Sequence, residues 1–169
     1  KDVFMLGTNW VPADAFHSND VNRLPRMLEL LDDVGCNMVR CWGGNVYEND
    51  MFYDFCDSHG IMIWQDFSMA CAIYPMDSTF IDIMRREITA VVKRLRNHSC
   101  IALWAGDNEC DLSIAGGWQG IKRNPNEVNI ITRKVIPEIL YMHDYIRPYL
   151  PSSPYVSNEA YEKGIKYLT

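Results

Sequence analysis

The chain has 169 residues, the length of one domain, and 48% of them are hydrophobic, which supplies a core and excludes a disordered chain. Sixteen basic against twenty-two acidic residues give a net charge of −6, and with no basic run this argues against a nucleic-acid or anionic-membrane partner. No stretch approaches the roughly 18 apolar residues of a membrane span, and the opening KDVFMLGTNW is too short, and too polar at its end, for a signal peptide.

The elements alternate from the start. VFMLGTNW (Val3–Trp10) reads as a strand. Apolar residues at Leu24, Met27, Leu28, Leu31 and Val34 predict a helix from about Asn22 to Val34, with Pro25 in its first turn and Gly35 ending it. NMVRCW (Asn37–Trp42) is the next strand, and YENDMFYDFCDSH a helix stopped by Gly60. IMIWQDF (Ile61–Phe67) is a third strand. Asp77 or Ser78 caps a long helix to about Arg96, with Phe80, Met84, Ile88, Val91 and Leu95 facing inward. CIALWAG (Cys100–Gly106) is a fourth strand, a helix then runs from Glu127 to Tyr145 with a restart at Pro137, and RPYLPSS begins a fifth strand. Strand–helix alternation predicts an α/β fold with a parallel sheet. It closes either as an open doubly wound sheet or as a (β/α)8 barrel. No Gly-rich phosphate loop comes after the first strand, which weakens the nucleotide-binding version. A whole barrel takes about 250 residues, so as a barrel this is part of one.

The six cysteines, Cys36, Cys41, Cys56, Cys71, Cys100 and Cys110, form no C-x-x-C, and most lie in apolar runs. They read as buried free thiols rather than a disulfide framework. His17, His59, His98 and His143 show no paired ligand spacing, so no metal site is expected.

In a parallel barrel the carboxyl ends of the strands line the active site. The first strand ends in Asn9-Trp10, with Asp14 shortly after; the second holds Arg40 and ends in Trp42-Gly43-Gly44; the third ends in Trp64-Gln65-Asp66; the fourth in Asp107-Asn108-Glu109. Tryptophans with carboxylates and amides suit a sugar, whose apolar face stacks while its hydroxyls take hydrogen bonds. Each residue also has a plainer reading. A Trp on a buried strand is usually core. Asp66 caps the next segment of chain. Glu109 sits in a helical first turn, where the dipole favours an acid. Arg40, on a buried strand, needs a carboxylate partner in either case. Together, at successive strand ends, they point to a site.

Here a resemblance becomes specific. NMVRCWGGNVYENDMFYDFCDSHGIMIWQDFSMACAIYP, with GTNWVPADAF before it and NHSCIALWAGDNE after it, is similar almost end to end to the β-mannosidase group of glycoside hydrolase family 2. The match is dense from about Val3 to Glu109 and loose beyond. It implies that residues 1–169 form the N-terminal half of a catalytic TIM barrel, roughly its first four to five β/α units. It implies a retaining exo-β-mannosidase that hydrolyses terminal β-D-mannose, with β-mannoside oligosaccharides or glycans as substrates and no cofactor. By resemblance Glu109 is the general acid/base, Asn108 holds the sugar 2-hydroxyl and Arg40 orients the nucleophile. Trp42, Asp66 and Trp118, the last in the Gly-rich AGGWQG, are sugar-pocket residues. The nucleophile is a Glu on a later strand with no counterpart here; Glu159, in SNEAY, does not lie in a matching strand. The chain taken alone is then expected to be inactive, and to self-associate through its edge strands and an apolar inner face. Asp107 departs from the uncharged residue common in relatives; close to Glu109 it raises that acid's pKa, and pointing away it does nothing to it. Bacterial members of the family are often exported, which implies a periplasmic or extracellular location in a bacterium. The rival readings are another family 2 exo-β-glycosidase, acting on a glucosaminide, glucuronide or galactoside, and a non-catalytic half-barrel that binds sugar or a partner chain. RCWGG and WQDF favour mannose.

Overall fold

A computed structural model describes residues 2–164. Five strands, β1 (Gly7–Trp10), β2 (Met38–Cys41), β3 (Met62–Asp66), β4 (Ile101–Ala105) and β5 (Tyr149–Leu150), form one sheet in chain order, every pair parallel. The order never reverses, so the sheet lacks the switch point of a doubly wound fold. Among the described residues no helix is long and apolar enough to cross a membrane.

The helices start and stop where local chemistry directs. In α2 (Asp50–His59) the Asn49 side chain accepts from Phe52 N, and Gly60 closes the helix at φ +70°. In α3 (Ser78–Leu95) Asp77 caps Phe80 N, while Met84, Ile88, Val91 and Leu95 are buried at helical spacing. Two helices differ from the expectation. α1 (Asp20–Asp33) starts two residues early, on a 3-10 turn (His17–Asn19), so Pro25 lies in its second turn. A proline there leaves the carbonyl of Val21 without its helical donor, which Val21, an exposed residue, tolerates. The predicted helix Glu127–Tyr145 is divided at Asn129, not restarted at Pro137: α5 (Pro125–Val128) leads to a π-helical turn (Ile131–Val135) and then α6 (Ile136–His143). The wide turn stands just ahead of Pro137, which has no N–H to offer the regular ladder. Short helices α4 (Cys110–Ile114) and α7 (Asn158–Glu162) complete the described chain.

Side chains alternate across each strand. Trp10, Val39, Ile63 and Trp104 point to the helical side and join Leu24, Leu28, Phe52, Ile88 and Ile139 in one core. Trp10 is therefore core, not a strand-end platform: it packs 4.8 Å from the Phe52 ring, and its Nε1 donates to buried Glu48 at 2.9 Å. On the opposite face Asn9, Arg40, Trp64 and Leu103 share one rung, beside Met38 and Met62. That face is mixed, where an apolar one was the expectation, because its polar members meet at the strand ends. Four of the six cysteines, Cys41, Cys56, Cys100 and Cys110, are buried, and all six are free thiols.

Candidate active site

The chain continues its parallel ladder beyond the strands, which brings residues 70, 108 and 153 abreast. Asn108 N donates to Met69 O at 3.0 Å, Cys71 N to Asn108 O at 2.8 Å and Glu109 N to Ser153 O at 3.0 Å. The loop after β2 comes down on this strip because residue 43 is glycine. A Cβ there would sit 2.3 Å from Met69 O and 3.2 Å from Asn108 N.

Arg40 organises the polar groups. Its Nη2 donates to Asp66 Oδ2 at 2.7 Å and to Asn108 Oδ1 at 2.8 Å, and its guanidinium lies 5.5 Å from the centre of the Trp64 ring. The carboxylate partner required by a strand-borne arginine is Asp66. Asp66 also accepts from Gly43 N at 3.0 Å and Trp64 Nε1 at 2.8 Å, and its side chain is closed off from solvent. The sequence reading places it in the sugar pocket; in the structure both of its oxygens already accept hydrogen bonds, one of them from Arg40. Burial pushes its carboxyl above the usual range, while Arg40 pulls it back. Arg40 Nε is buried and has no partner among the described residues.

With its oxygen engaged by Arg40, Asn108 turns Nδ2 toward Glu109 Oε2, 3.3 Å away, and Cys71 Sγ, 3.4 Å away. Glu109 precedes α4 in a left-handed conformation (φ +61°) and makes no side-chain cap bond. Asp107 does the capping, accepting from Cys110 N at 3.1 Å. Glu109 thus stands at the helix end, as the plainer reading has it, but does not cap it, and its half-buried carboxylate faces Asn108 and Cys71. Cys71 is left-handed too, at φ +54°. Non-glycine residues there cost about 1–3 kcal/mol each and persist only where the surroundings over-determine them.

Trp42 is half-buried and outside the core, its indole lying across the backbone of Gly44. Exposed Trp118 reaches over from the Gly-rich loop, and its Nε1 donates to Cys71 O at 3.2 Å. So Arg40, Asp66, Asn108 and Glu109 form one hydrogen-bonded chain, Trp118 flanks it through Cys71, and Trp42 leads into Gly43, which donates to Asp66.

Three features were not legible in the sequence. Cys71 sits in SMACAIYP, where neither charge nor periodicity marks it. Asp107 turns away from Glu109, to Ser152 Oγ and Asn129 Nδ2 (3.0 Å). There it meets buried Asp111, which binds Arg133 and accepts from Val156 N at 3.1 Å. Burial first, then Asp111, push the Asp107 carboxyl up to about 7, against its three donors. Its folded pKa thus lies above the unfolded value near 3.8. Its contribution to stability is fully present below the unfolded value and is lost as pH rises through about 7. Thermal melting should show the protein gaining roughly 2–4 kcal/mol from this group between pH 8 and pH 4. Asp107→Asn should flatten that slope, and an unchanged slope would mean that Asp107 stays ionised throughout. The third feature lies at the opposite end of the sheet. Asp57, His98 and Cys100 bring ligand-type atoms within 4.8 Å of one another. Asp57 already accepts from Cys100 N and Ser99 Oγ, with His98 Nδ1 at 2.7 Å, an arrangement that fastens α2 to the start of β4.

No family model matches the chain. Among curated proteins it is 41% identical over 158 residues to a β-mannosidase of Bos taurus, covering 90% of this chain and 18% of that protein. It is 37% identical over 175 residues to a β-mannosidase of Rattus norvegicus, covering 99% and 19%. A β-D-mannosidase structure from Dictyoglomus thermophilum matches with a TM-score of 0.85 at 43% identity, over 93% of this chain and 19% of that one. A β-glucuronidase from Parabacteroides merdae matches with a TM-score of 0.72 at 18% identity, over 88% and 18%, a likeness of fold alone. The chain spans less than a fifth of the length of each of these proteins.

Proposed function

We propose, from the premise that this chain is related to the β-mannosidases along nearly its whole length, that it supplies the first half of a catalytic (β/α)8 barrel in a retaining exo-β-mannosidase. The observation that carries this reading is the chain Asp66–Arg40–Asn108–Glu109, laid across three successive carboxyl ends of a parallel sheet. Glu109 acts as general acid/base, protonating the glycosidic oxygen and then activating water. Asn108 meets the 2-hydroxyl. Arg40 orients a nucleophilic carboxylate from a later strand, and its unpartnered Nε supports that role. Retention requires the two carboxyl groups about 5–5.5 Å apart. Trp42 and Trp118 line the sugar pocket, and Asp66 serves it by fixing Arg40. The substrates are terminal β-mannosides of oligosaccharides or glycans. The glucuronidase likeness, being one of fold, adds no argument for a second sugar.

The test is hydrolysis of a panel of 4-nitrophenyl β-glycosides by the complete enzyme. The β-mannoside should exceed the glucoside, galactoside and glucuronide in kcat/KM by at least about tenfold, a scale set by one well-made hydroxyl contact. NMR should show the β-anomer released first. Preference for another glycoside overturns the mannose assignment, and first release of the α-anomer overturns retention.

A further inference from the structure

Cys71 and Glu109 are the two non-glycine residues with positive φ among the described residues, and they touch. The Cys71 Sγ lies 3.2 Å from Glu109 Oε2, across 38 positions of sequence. The backbone of Cys71 is clamped on both sides. Its N–H donates to Asn108 O at 2.8 Å, and its carbonyl accepts from Trp118 Nε1 and Gln119 Nε2, each at 3.2 Å. Asn108 Nδ2 reaches both the sulfur and the carboxylate. Two residues held in sparsely populated conformations, one against the other, mark a contact that the fold maintains at some cost.

We propose that Cys71 is a positioning residue for Glu109: its thiol donates to Oε2 and, with Asn108 Nδ2, holds the carboxyl where it releases and recovers its proton. The inference rests on the acid/base reading of Glu109. A thiol suits the task because sulfur is both a weak donor and a weak acceptor. It steadies the carboxylate while favouring the ionised form only slightly, whereas a stronger donor favours that form more and leaves less of the acid protonated. The thiol in return resists ionisation, through burial and the adjoining carboxylate.

Two measurements test this. The first is alkylation of Cys71 by iodoacetamide, read by peptide mass spectrometry with half-buried Cys36 as internal control. The thiolate displaces iodide, so the rate tracks the thiolate fraction. Glu109→Gln removes the neighbouring charge and should speed Cys71 alkylation about three- to tenfold with Cys36 unchanged. The second is the pH profile of kcat/KM in the complete enzyme. Cys71→Ala removes a donor to the carboxylate, so the alkaline limb should move to higher pH. Cys71→Ser, whose hydroxyl is a stronger donor, should bring it back to or below the parent's position. Equal alkylation in both proteins overturns the assignment, as does a limb unmoved by Cys71→Ala. If alkylation responds to Glu109 but the complete enzyme cleaves no β-glycoside, the hydrolase reading fails and the acid/base purpose of the contact falls with it.

Discussion

Glu109→Gln in the complete enzyme should lower kcat/KM for a β-mannoside with an alkyl or sugar leaving group by about 10²–10⁴-fold, the usual worth of a positioned proton donor. An aryl mannoside with an activated leaving group needs little protonation and should lose far less in its first step. Its second step should then limit turnover, because water no longer has a base, and added azide should restore the rate by forming the glycosyl azide. Glutamine keeps the shape and one acceptor, so the Asn108 contact survives and the loss is chemical rather than structural. Equal loss on both substrate types, with no azide effect, would falsify the acid/base assignment.

Arg40→Met should strongly destabilise the protein. Asp66 has no solvent access, and Arg40 is its cationic partner, itself only 21% exposed. Removing one member of such a pair leaves a buried charge uncompensated, at about 3–5 kcal/mol. The orphaned Asp66 should then take up a proton more readily, so the variant should be less destabilised at pH 5 than at pH 8. Asp66→Asn in the Arg40→Met background should recover part of the loss, since no charge then remains to be buried. Urea unfolding at the two pH values tests both statements. A variant within about 0.5 kcal/mol of the parent at pH 8 would mean that solvent screens the pair. Asn108 should also lose its fixed orientation, so activity should fall even where the protein remains folded.

The repeat of strands and helices was legible because its signals are local. Apolar spacing in α3, the caps Asn49 and Asp77, and the terminating glycines Gly35 and Gly60 each act over about one helical turn. The strand-end residues could be read off for the same reason: a parallel sheet puts its carboxyl ends at one edge whatever the packing. The need of Arg40 for a carboxylate came from the cost of an unpaired buried charge. The failures were matters of environment. Trp10 and Trp64 look alike in sequence, yet one packs under the helices and the other stands beside Arg40, because the faces of adjoining strands are set by register. The helix at 127–145 was divided at Asn129, where the side chain is drawn between buried Asp107 and Asp111.

By itself the sequence determined the α/β class, the parallel order of units and the kinship with the β-mannosidases, all consequences of short-range pattern. Only the tertiary structure decided which acid caps α4, that Asp66 serves Arg40, and that Cys71 meets Glu109. Those contacts join residues 26 to 38 positions apart, or hang on one left-handed backbone conformation. Neither is specified by local propensity. The meeting of Cys71 with Glu109 arises from the closure of the ladder across residues 70, 108 and 153, and that of Asp66 with Arg40 from the pairing of β2 with β3, where the fold as a whole overrides the preference of a single residue.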